Sequence, residues 1–425
     1  MKPVPLLSAC VIASSLASAP AQAQPAASPS SPQAVLSTAP IQAVGTVTLR
    51  AALDAAWQRA VTGRESGGQR RRADADRGVA GSFWAAPPSL ELSHRDDRFQ
   101  SNAGTRETEI GVAVPLWLPG QRAARASTAD AAVAQAHAAT QVALLRLAGE
   151  LRDAAWQMSA LQAEAAQADG LAQALKQLAD DVERRVSAGD LARADALAAQ
   201  AEQLAASAVQ TEVRQRLQAA RARWALLTGL TAAPELPAAT ASDGAHGAAA
   251  AHPELQLASQ STELARRRVE LMRHSRRDAP ELTVGVRQDT PGRAEASQSS
   301  LIVGLRLPFG TDDRNRPLEA AALAELDVAE THEQRLRERL DSDIATARDA
   351  QRAAEAQLEA ETARARLLRE RATLIDKSFR AGETPLPDQL RALAAAGQAD
   401  SAVARQTAAL GLARARLQQA LGLLP

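Results

Sequence analysis

Residues 110–116 read Ile110-Gly111-Val112-Ala113-Val114-Pro115-Leu116, and a similar segment, Val303-Gly304-Leu305-Arg306-Leu307-Pro308-Phe309, follows 193 positions later (303 minus 110). Apolar residues in both segments alternate with other residues at a period of two, which is typical of a β-strand with one apolar face. A second alternating run precedes each segment, at 88–92 and 280–286, across a polar loop. Each pair of runs therefore predicts a strand hairpin with a long connection.

The same spacing relates several other parts of the chain, so the sequence contains a long internal duplication. The matching segments are Ser187-Ala188-Gly189-Asp190 with Arg380-Ala381-Gly382-Glu383, Leu227-Thr228-Gly229-Leu230 with Ala420-Leu421-Gly422-Leu423, and, at a spacing of 192 (280 minus 88), Pro88-Ser89-Leu90-Glu91-Leu92 with Pro280-Glu281-Leu282-Thr283-Val284. Solenoid repeats are only about 20 to 50 residues long. A period of this length indicates two copies of a domain-sized unit.

Each copy is predicted to contain a helix, a strand hairpin and a hairpin of long antiparallel coiled-coil helices, in that order. The first repeat spans 47–235, with a helix from Leu49 to about Ala80, a strand hairpin at 88–118 and a coiled-coil hairpin at 123–228; the second spans 252–425, with a helix from Pro253 to about Arg277, a strand hairpin at 280–309 and a coiled-coil hairpin at 317–423. A linker rich in Pro, Ala and Ser at 24–46 precedes the first repeat, and a linker at 236–251 separates the two. The predicted fold class is mainly α with a small β part.

The length of the coiled-coil helices follows from the distribution of proline and glycine. Residues 123–186 are 64 positions without a proline, which at about 1.5 Å per residue allows a helix of roughly 95 Å. A similar stretch runs over 318–379. Glycine turns at Gly189 and Gly382 then reverse the chain, because glycine readily adopts the backbone conformation of a tight helical reversal.

The composition favours closely packed helices and argues against some classes of function. Alanine is abundant, tyrosine is absent and aromatic residues make up 2% of the chain. The 49 Lys and Arg residues balance 49 Asp and Glu residues, so a general electrostatic attraction to nucleic acid is not expected. The sequence contains no nucleophile elbow, phosphate-binding loop or zinc-binding helix motif. We predict that the protein is not an enzyme and has no cofactor.

The N-terminus is typical of an exported protein. Residues 1–23 combine Lys2, an apolar stretch and the small-x-small cleavage site Ala21-Gln22-Ala23, which predicts a signal peptide. The alternative is a lipobox at Leu7-Ser8-Ala9-Cys10, which would place an acylated Cys10 at the mature N-terminus. Cys10 is the only cysteine, so neither disulfides nor a thiolate metal site is expected in the mature chain.

If the protein crosses a membrane, it must do so with strands. No segment after the signal peptide approaches the roughly 20 apolar residues of a spanning helix, whereas alternating runs of about ten residues match a tilted spanning strand. Open sheet edges are not tolerated in lipid, and four strands per chain cannot close a barrel. Several copies would therefore close one sheet. Barrels start at about eight strands, so a dimer is the minimum, and three copies would supply twelve.

These features resemble the TolC family of outer-membrane factors. The resemblance rests on the duplication, the strand hairpin before each coiled coil, the opening Val47-Thr48-Leu49-Arg50-Ala51-Ala52-Leu53, and the turns Ala188-Gly189-Asp190-Leu191 and Ala381-Gly382-Glu383-Thr384. The string Val114-Pro115-Leu116-Trp117-Leu118-Pro119-Gly120-Gln121-Arg122 further resembles the branch that serves heavy-metal efflux pumps of the cobalt-zinc-cadmium type. One departure is Arg59-Ala60, where the family often has Asn-Pro; His252-Pro253 stands at the equivalent place in the second repeat.

The resemblance implies a homotrimer with a twelve-stranded outer-membrane β-barrel continued by a long periplasmic α-barrel. It also implies docking onto a periplasmic adaptor (membrane fusion) protein and a proton-driven inner-membrane pump of the resistance-nodulation-division type. The protein would be a passive exit duct surrounded by outer-membrane lipid, with heavy-metal cations as the expected cargo. Drug efflux and type I secretion are alternatives for the cargo. A soluble periplasmic coiled-coil adaptor or scaffold is an alternative of another class.

The two coiled-coil tips are the predicted docking surface for the adaptor. The residues assigned to this surface are Arg185, Val186, Gly189 and Leu191 in the first repeat and Arg380, Gly382 and Leu386 in the second. Both tips place a cation, a small residue and a glycine in the same order; otherwise the glycines would serve only as helix caps. Near the tips, Asp180, Asp181 and Asp376 would form an acidic ring at the pore entrance or lie on solvated helix faces.

Metal coordination by the channel itself is not expected. The six histidines are scattered, without a pair spaced for one helix face and without a cysteine partner. They are His94, His137, His246, His252, His274 and His332. Selectivity for a metal cargo would then lie elsewhere in the pump.

Overall fold

The structure, a computed structural model, describes residues 46–99, 101–236, 252–309 and 312–425. The predicted signal peptide at 1–23, the alternative lipidation site Cys10 and nearly all of the two predicted linkers, 24–46 and 236–251, lie outside the described residues. In chain order the elements are β1 Val47–Thr48, α1 Leu49–Arg59, α2 Val61–Ala80, β2 Ser89–Asp96, β3 Arg106–Pro115, α3 Gln121–Ala188, α4 Arg193–Thr228, β4 Pro234–Glu235, α5 Pro253–His274, β5 Glu281–Thr290, β6 Gln298–Arg306, α6 Asp312–Arg380 and α7 Leu386–Ala420.

Helices form most of this fold and strands a small part, as the sequence predicts. The two longest helices, α3 with 68 residues and α6 with 69, each extend about 100 Å at 1.5 Å per residue. The returning helices α4 and α7 have 36 and 35 residues and cover about half of that length. No helix in the described part of the chain is both long enough and apolar enough to span a membrane.

Four strands form one antiparallel sheet in the order β2-β3-β5-β6. The strand hairpins of the two repeats therefore lie side by side. They are joined by β3 and β5, which pair from Arg106 opposite Thr290 to Pro115 opposite Glu281. A separate parallel pair, β1 with β4, joins the beginning and the end of the first repeat.

The helices form a layer four columns wide. Far from the sheet, the four columns are α4, α3, α7 and α6, in that order. Near the sheet, α2 takes the place of α4 in the first column, and α5 takes the place of α7 in the third. Each strand belongs to the column next to it in the chain, because β2 follows α2, β3 precedes α3, β5 follows α5 and β6 precedes α6. Strand order and column order are therefore the same, and the layer has two edges, α4 with α2 on one side and α6 on the other.

Equivalent junctions occur in the two repeats where one helix of a column follows another. In the first repeat α1 ends at Arg59, Ala60 is extended with a ψ of 133°, and Gly229 at the end of α4 lies against the Arg59 side chain. In the second repeat His252 caps α5 and lies against Gly422, just after α7. The single helix predicted over 49–80 is therefore wrong at Ala60, because packing against the end of α4 interrupts it where the local sequence has no proline.

The bounds of α6 also differ from the prediction. The coiled-coil hairpin of the second repeat is predicted to start at 317, but α6 begins at Asp312 and contains Pro317. Pro317 lies in the second turn, where its missing N–H removes a helical partner only from the carbonyl of Asp313. A proline this close to the N-terminus of a 69-residue helix therefore does not stop it.

A buried arginine ties α3 to the C-terminal end of α7. Arg152 donates to the carbonyl oxygen of Leu423 at 2.8 Å and to the Gln419 side-chain oxygen at 2.5 Å. Burial lowers the pKa of Arg152 to about 10, so the guanidinium is still charged at neutral pH. These acceptors stabilise the buried charge and hold the second junction together.

Candidate functional site

One face of the sheet is covered by exposed aliphatic side chains. Residues paired directly across neighbouring strands share a face, and the register gives three aliphatic rows: Leu90, Val112, Val284 and Val303; Leu92, Ile110, Val286 and Leu301; and Val114, Leu282 and Leu305. Leu90 and Leu301 are 74% and 71% exposed. A continuous apolar surface of this kind indicates contact with lipid or another apolar partner.

The opposite face of the sheet is polar and has small residues at its centre. Gly111 and Gly285 are paired across β3 and β5, and a Cβ at Gly285 would lie 2.7 Å from the carbonyl oxygen of Ile110. Further along the same face, Glu107 of β3 forms an ion pair with Arg287 of β5 at 2.8 Å. Strands with one aliphatic and one polar face are typical of membrane β-barrels.

The sheet is open at both edges. β2 pairs only with β3 and β6 only with β5 among the described strands, so one side of each edge strand has no β partner. Unpaired strand edges readily accept another strand, and in lipid they have to do so. A single chain therefore presents two sheet edges at which further strands can pair.

The two coiled-coil hairpins reverse through the same backbone motif. Gly189 and Gly382 have φ angles of 89° and 79°, values that favour glycine. The Asp190 N–H bonds to the carbonyl of Arg185 at 2.8 Å, and the Glu383 N–H bonds to that of Ser378 at 3.0 Å. A Cβ at either glycine would meet no atom within 4 Å, so both turns point into open space at the tip.

A groove of about 640 Å³ lies at the tips between α3 and α6, with α7 at its base. Each of the two long helices contributes an ion pair four residues apart, Asp181 with Arg185 at 3.2 Å and Asp376 with Arg380 at 3.0 Å. The Arg185 guanidinium also lies over the Phe379 ring, 5.2 Å from its centre, a favourable cation–π contact. We call this surface, formed by Asp181, Arg185, Asp376, Phe379, Arg380 and Gln389, the tip groove.

The predicted tip residues fall into two groups. Arg185 and Arg380 line the tip groove, and Gly189 and Gly382 are exposed at the turns. Val186 and Leu191 are half-buried and pack against an apolar cluster that contains Leu386. Leu386 is only 2% exposed, so its assignment to the docking surface is corrected here: it is a core residue that holds the two hairpins together.

The predicted acidic ring is only partly assembled in one chain. Asp181 and Asp376 lie in the tip groove, whereas Asp180 is exposed and does not line it. Both groove carboxylates are paired with arginines, which neutralises their charge locally. The tip groove is therefore a surface of mixed charge, and an acidic ring stays a prediction.

Sequence reasoning missed Gln389 and the role of Phe379. Gln389 is buried and donates from its side-chain nitrogen to Asp376 at 3.0 Å, while its side-chain oxygen has no hydrogen-bond partner among the described residues. Phe379 is buried beneath Arg185. The sequence does contain a signal for Gln389. It stands three residues after Leu386, so both lie on the same face of α7, and this places a polar residue on the buried face of that helix.

The string at 114–122 forms the joint between the sheet and the helical layer. The Leu116 N–H bonds to the carbonyl of Pro280 at 2.7 Å, and the Trp117 indole N–H to that of Ser82 at 3.2 Å. The Gln121 amide donates to the Ser275 hydroxyl at 3.2 Å, and Arg122 donates to the carbonyl of Gly81 at 2.9 Å. These bonds connect β3 and α3 to the ends of α2 and α5 and to the segment before β5, so the joint involves both repeats.

The described residues contain no group of three or more histidine, cysteine, aspartate or glutamate side chains that could hold a metal ion. His252 is buried and caps α5, with its Nδ1 accepting from the Glu254 N–H at 3.2 Å. Of the other five histidines in the sequence, His246 lies outside the described residues.

The sheet, the two long coiled-coil hairpins and their tips define the class of protein: the chain has the fold of TolC-like outer-membrane channels. Over 88% of its length it superimposes on 96% of the outer membrane protein VceC from Vibrio cholerae with a TM-score of 0.72 and 16% identity. It also superimposes, over 88% of its length, on 85% of the CmeC outer membrane channel of Campylobacter jejuni, with a TM-score of 0.72 and 12% identity. In sequence the chain is similar to the cobalt-zinc-cadmium resistance protein CzcC of Cupriavidus metallidurans, with 27% identity over 306 residues that cover 68% of this chain and 69% of the relative. No family model matches the chain.

These comparisons confirm the fold that the resemblance implies, and the similarity to CzcC agrees with the heavy-metal branch that the string at 114–122 resembles. The three relatives are named as an outer membrane protein, an outer membrane channel and a metal resistance protein.

Proposed function

We propose that three copies of this protein form an outer-membrane channel with a long periplasmic extension, which serves as the passive exit duct of a tripartite efflux system. An inner-membrane proton-driven pump would deliver the substrate through a periplasmic adaptor. The single observation that carries the proposal is the sheet, which has one exposed aliphatic face, one polar face and two open edges. Its helical continuation of about 100 Å supplies the periplasmic part of the duct.

The geometry explains how such a duct would work. Aliphatic rows would face the lipid, and the polar face with Gly111, Gly285 and Thr283 would line a water-filled interior. Three copies would supply twelve strands, enough to leave an aqueous passage rather than an interior filled by side chains. No chemical step is required of the channel, because the pump provides the energy.

Heavy-metal cations are the proposed cargo, on the basis of the similarity to CzcC. The absence of a metal-binding cluster among the described residues is compatible with a duct, since tight coordination would slow the exit of the ion. Export of drugs or of a secreted protein would use the same architecture and is separated only by experiment.

The tip groove is the proposed contact for the adaptor. It presents the paired side chains of Arg185 with Asp181 and of Arg380 with Asp376, which offer both positive and negative charge to an incoming polar partner. The two exposed turns at Gly189 and Gly382 lie next to it. Binding there would shift the hairpins relative to one another and open the periplasmic end.

We expect the double substitution Gly189→Asp with Gly382→Asp to abolish export, because it places two carboxylates per chain at the docking surface. The measurement is growth of a strain lacking this gene in rising concentrations of cobalt, zinc and cadmium, after complementation with wild type or variant. Wild type should restore tolerance, and the double variant should not, although its trimers should remain in the outer membrane.

The matched control is Gly189→Asn with Gly382→Asn, because asparagine has the size of aspartate, tolerates the left-handed backbone conformation and carries no charge. It should retain most of the tolerance. Undiminished export by the aspartate variant would count against docking at the tips. A deletion strain that is sensitive to dyes and antibiotics but not to metals would replace the proposed cargo and leave the channel assignment intact.

A further inference from the structure

We propose that Arg223, Arg371 and Arg405 form a cationic belt on the inner wall of the duct and that this belt attracts small anions. The proposal rests on the proposed function, because it assigns one face of the helical layer to the interior of the channel. The anions would neutralise part of the charge of a metal cargo in transit. Two observations carry it: one face of the layer is concave, and three arginines on that face have no partner among the described residues.

The two faces of the helical layer differ in shape. On one face, a cavity of about 870 Å³ is lined by residues of α2, α3, α5 and α6, one helix from each of the four columns. One cavity reaches all four columns because the layer curves around it, so this face is concave. On the other face, Ala52 and Ala56 of α1 share a buried cluster with Ala148 and Ala155 of α3. Ala155 is about two and a half turns from Arg146, which lines the cavity, so α1 lies on the convex face. When copies of the layer close into a ring, the concave face surrounds the interior.

The concave side of α4 is identified by an ion pair with α3. Glu164 of α3 is about five full turns beyond Arg146, so both lie on the concave face. Glu164 pairs with Arg216 of α4 at 2.8 Å, and Arg223 follows about two turns later on the same side of α4. The Arg223 side chain is exposed and has no ion-pair or hydrogen-bond partner among the described residues. It therefore projects from the wall into the interior as an unpaired charge.

The same relations place Arg405 of α7 and Arg371 of α6 on the concave face. Asp153 of α3, also on this face, pairs with Arg416 of α7 at 3.4 Å, and Arg405 is about three turns from Arg416. On α6, Arg371 is about nine turns from Arg339, which lines the cavity. Both Arg371 and Arg405 are exposed, and in the described part of the chain neither has a partner.

The three arginines lie at a similar level of the layer. Contacts between neighbouring columns align Arg223, Arg405 and Arg371 with α3 positions of about 157, 162 and 169, a span of about 18 Å. They belong to the first, third and fourth columns, α4, α7 and α6. Three copies would therefore repeat them around the whole circumference as a belt.

The belt gives this stretch of the concave face a positive charge. The carboxylates at the same level are already paired, Glu164 and Glu212 with Arg216 and Glu361 with Arg364. With the belt, five arginines face three carboxylates, a net charge of +2 per chain (5 minus 3). Glu150, an exposed carboxylate on the same side of α3, lies about 10 Å closer to the sheet than Arg223.

The field of the belt would reach the middle of the duct. Three copies of a layer with four columns, spaced about 9 Å apart, give a circumference of about 110 Å. Subtracting the thickness of the helices leaves about 12 Å between the wall and the axis. The Debye length is about 10 Å in 0.1 M salt, so at this level anions would be enriched and free cations depleted across the duct. A metal cation would pass the belt most readily in the company of anions.

Ion selectivity in planar lipid bilayers tests the belt directly. The full-length protein is inserted into a bilayer that separates two dilute potassium chloride solutions of different concentration, and the reversal potential gives the ratio of chloride to potassium permeability. In the triple variant Arg223→Gln, Arg371→Gln and Arg405→Gln, we expect this ratio to fall about twofold or more relative to wild type. The difference should shrink in concentrated salt, which screens the belt. Replacing the same three arginines with lysine keeps the charge and should keep the ratio of wild type.

The matched control removes three arginines from the convex face. Its substitutions are Arg221→Gln, Arg348→Gln and Arg366→Gln. All three arginines are exposed and without a partner among the described residues. Arg221 is two residues from Arg223, and Arg348 and Arg366 are about two and a half and seven and a half turns from Arg339, so they point away from the concave face. The control changes the total charge by the same amount and should leave the permeability ratio unchanged.

The outcomes separate the belt from the channel assignment. If wild type conducts ions, but the concave-face variant has the same permeability ratio as wild type or shifts no more than the convex-face control, the belt is overturned and the channel stands. A wild-type protein that reaches the bilayer and conducts no ions would overturn both.

Discussion

Gly411 of α7 shows how closely the two repeats pack at a single position. A Cβ at Gly411 would lie 2.1 Å from the Trp156 ring, so any larger residue must displace the indole or separate α3 from α7. We expect Gly411→Ala to lower the free energy of unfolding by about 1–3 kcal/mol, the usual cost of overpacking a core. Thermal unfolding of the purified protein, followed by circular dichroism, measures the change.

The control for this substitution is Gly170→Ala in α3. A Cβ at Gly170 would meet nothing within 4 Å, so alanine should raise stability by about 0.5–1 kcal/mol through its better helix propensity. If Gly411→Ala were stabilising as well, the close contact between Trp156 and α7 would be refuted.

The helix α5 begins at a titratable cap, so its stability should depend on pH. Burial lowers the pKa of His252, opposed by the nearby Glu254 carboxylate, which raises it. The unfolded chain therefore takes up a proton before the folded one, and stability should be greatest above the ordinary histidine pKa and fall as the pH drops below it. Protonation would also remove the Nδ1 acceptor that caps the Glu254 N–H.

We expect His252→Asn to reduce the loss of thermal stability between pH 7.5 and 5.5, both about one unit from the ordinary histidine pKa, because asparagine caps helices without titrating. The exposed His137 on α3 provides the control His137→Asn, which should leave the pH dependence unchanged. An equal pH dependence in wild type and His252→Asn would show that the cap does not control it.

At the scale of the whole molecule, the proposed contact with lipid depends on the sheet having one aliphatic and one polar face. Two neighbouring residues of β6 test which face meets the lipid. Val303 lies in an aliphatic row, whereas Ile302 pairs with Gly285 on the polar face. We expect Val303→Arg to impair membrane insertion by about 2–4 kcal/mol, the cost of an arginine facing the middle of the bilayer. The measurement is the fraction of protein that folds into lipid vesicles.

Ile302→Arg is the matched control, because the same side chain one position away would point into water and should fold nearly as well as wild type. Equal insertion of both variants would contradict the assignment of the aliphatic face to lipid.

Much of this protein is determined by periodicity that can be read along the chain. The alternation at 110–116 and 303–309 identifies two strands, and the glycines at 189 and 382 identify the ends of the long helices α3 and α6. Each of these signals is local, because one turn or one strand suffices to produce it. The duplication then orders them into two equivalent units.

The neighbours of each element were decided only by the tertiary structure. Periodicity indicates which side of α4 or α6 is apolar, but not that one side meets α3 or α7 and the other is exposed. Asp181 and Asp376 pair with arginines four residues away in the same helices, a local spacing that can be read from the sequence. Leu386 is different, because the sequence assigned it to a docking surface although it is buried. The break at Ala60 has the same origin, since burial and pairing depend on residues far away in the chain, which no local pattern encodes.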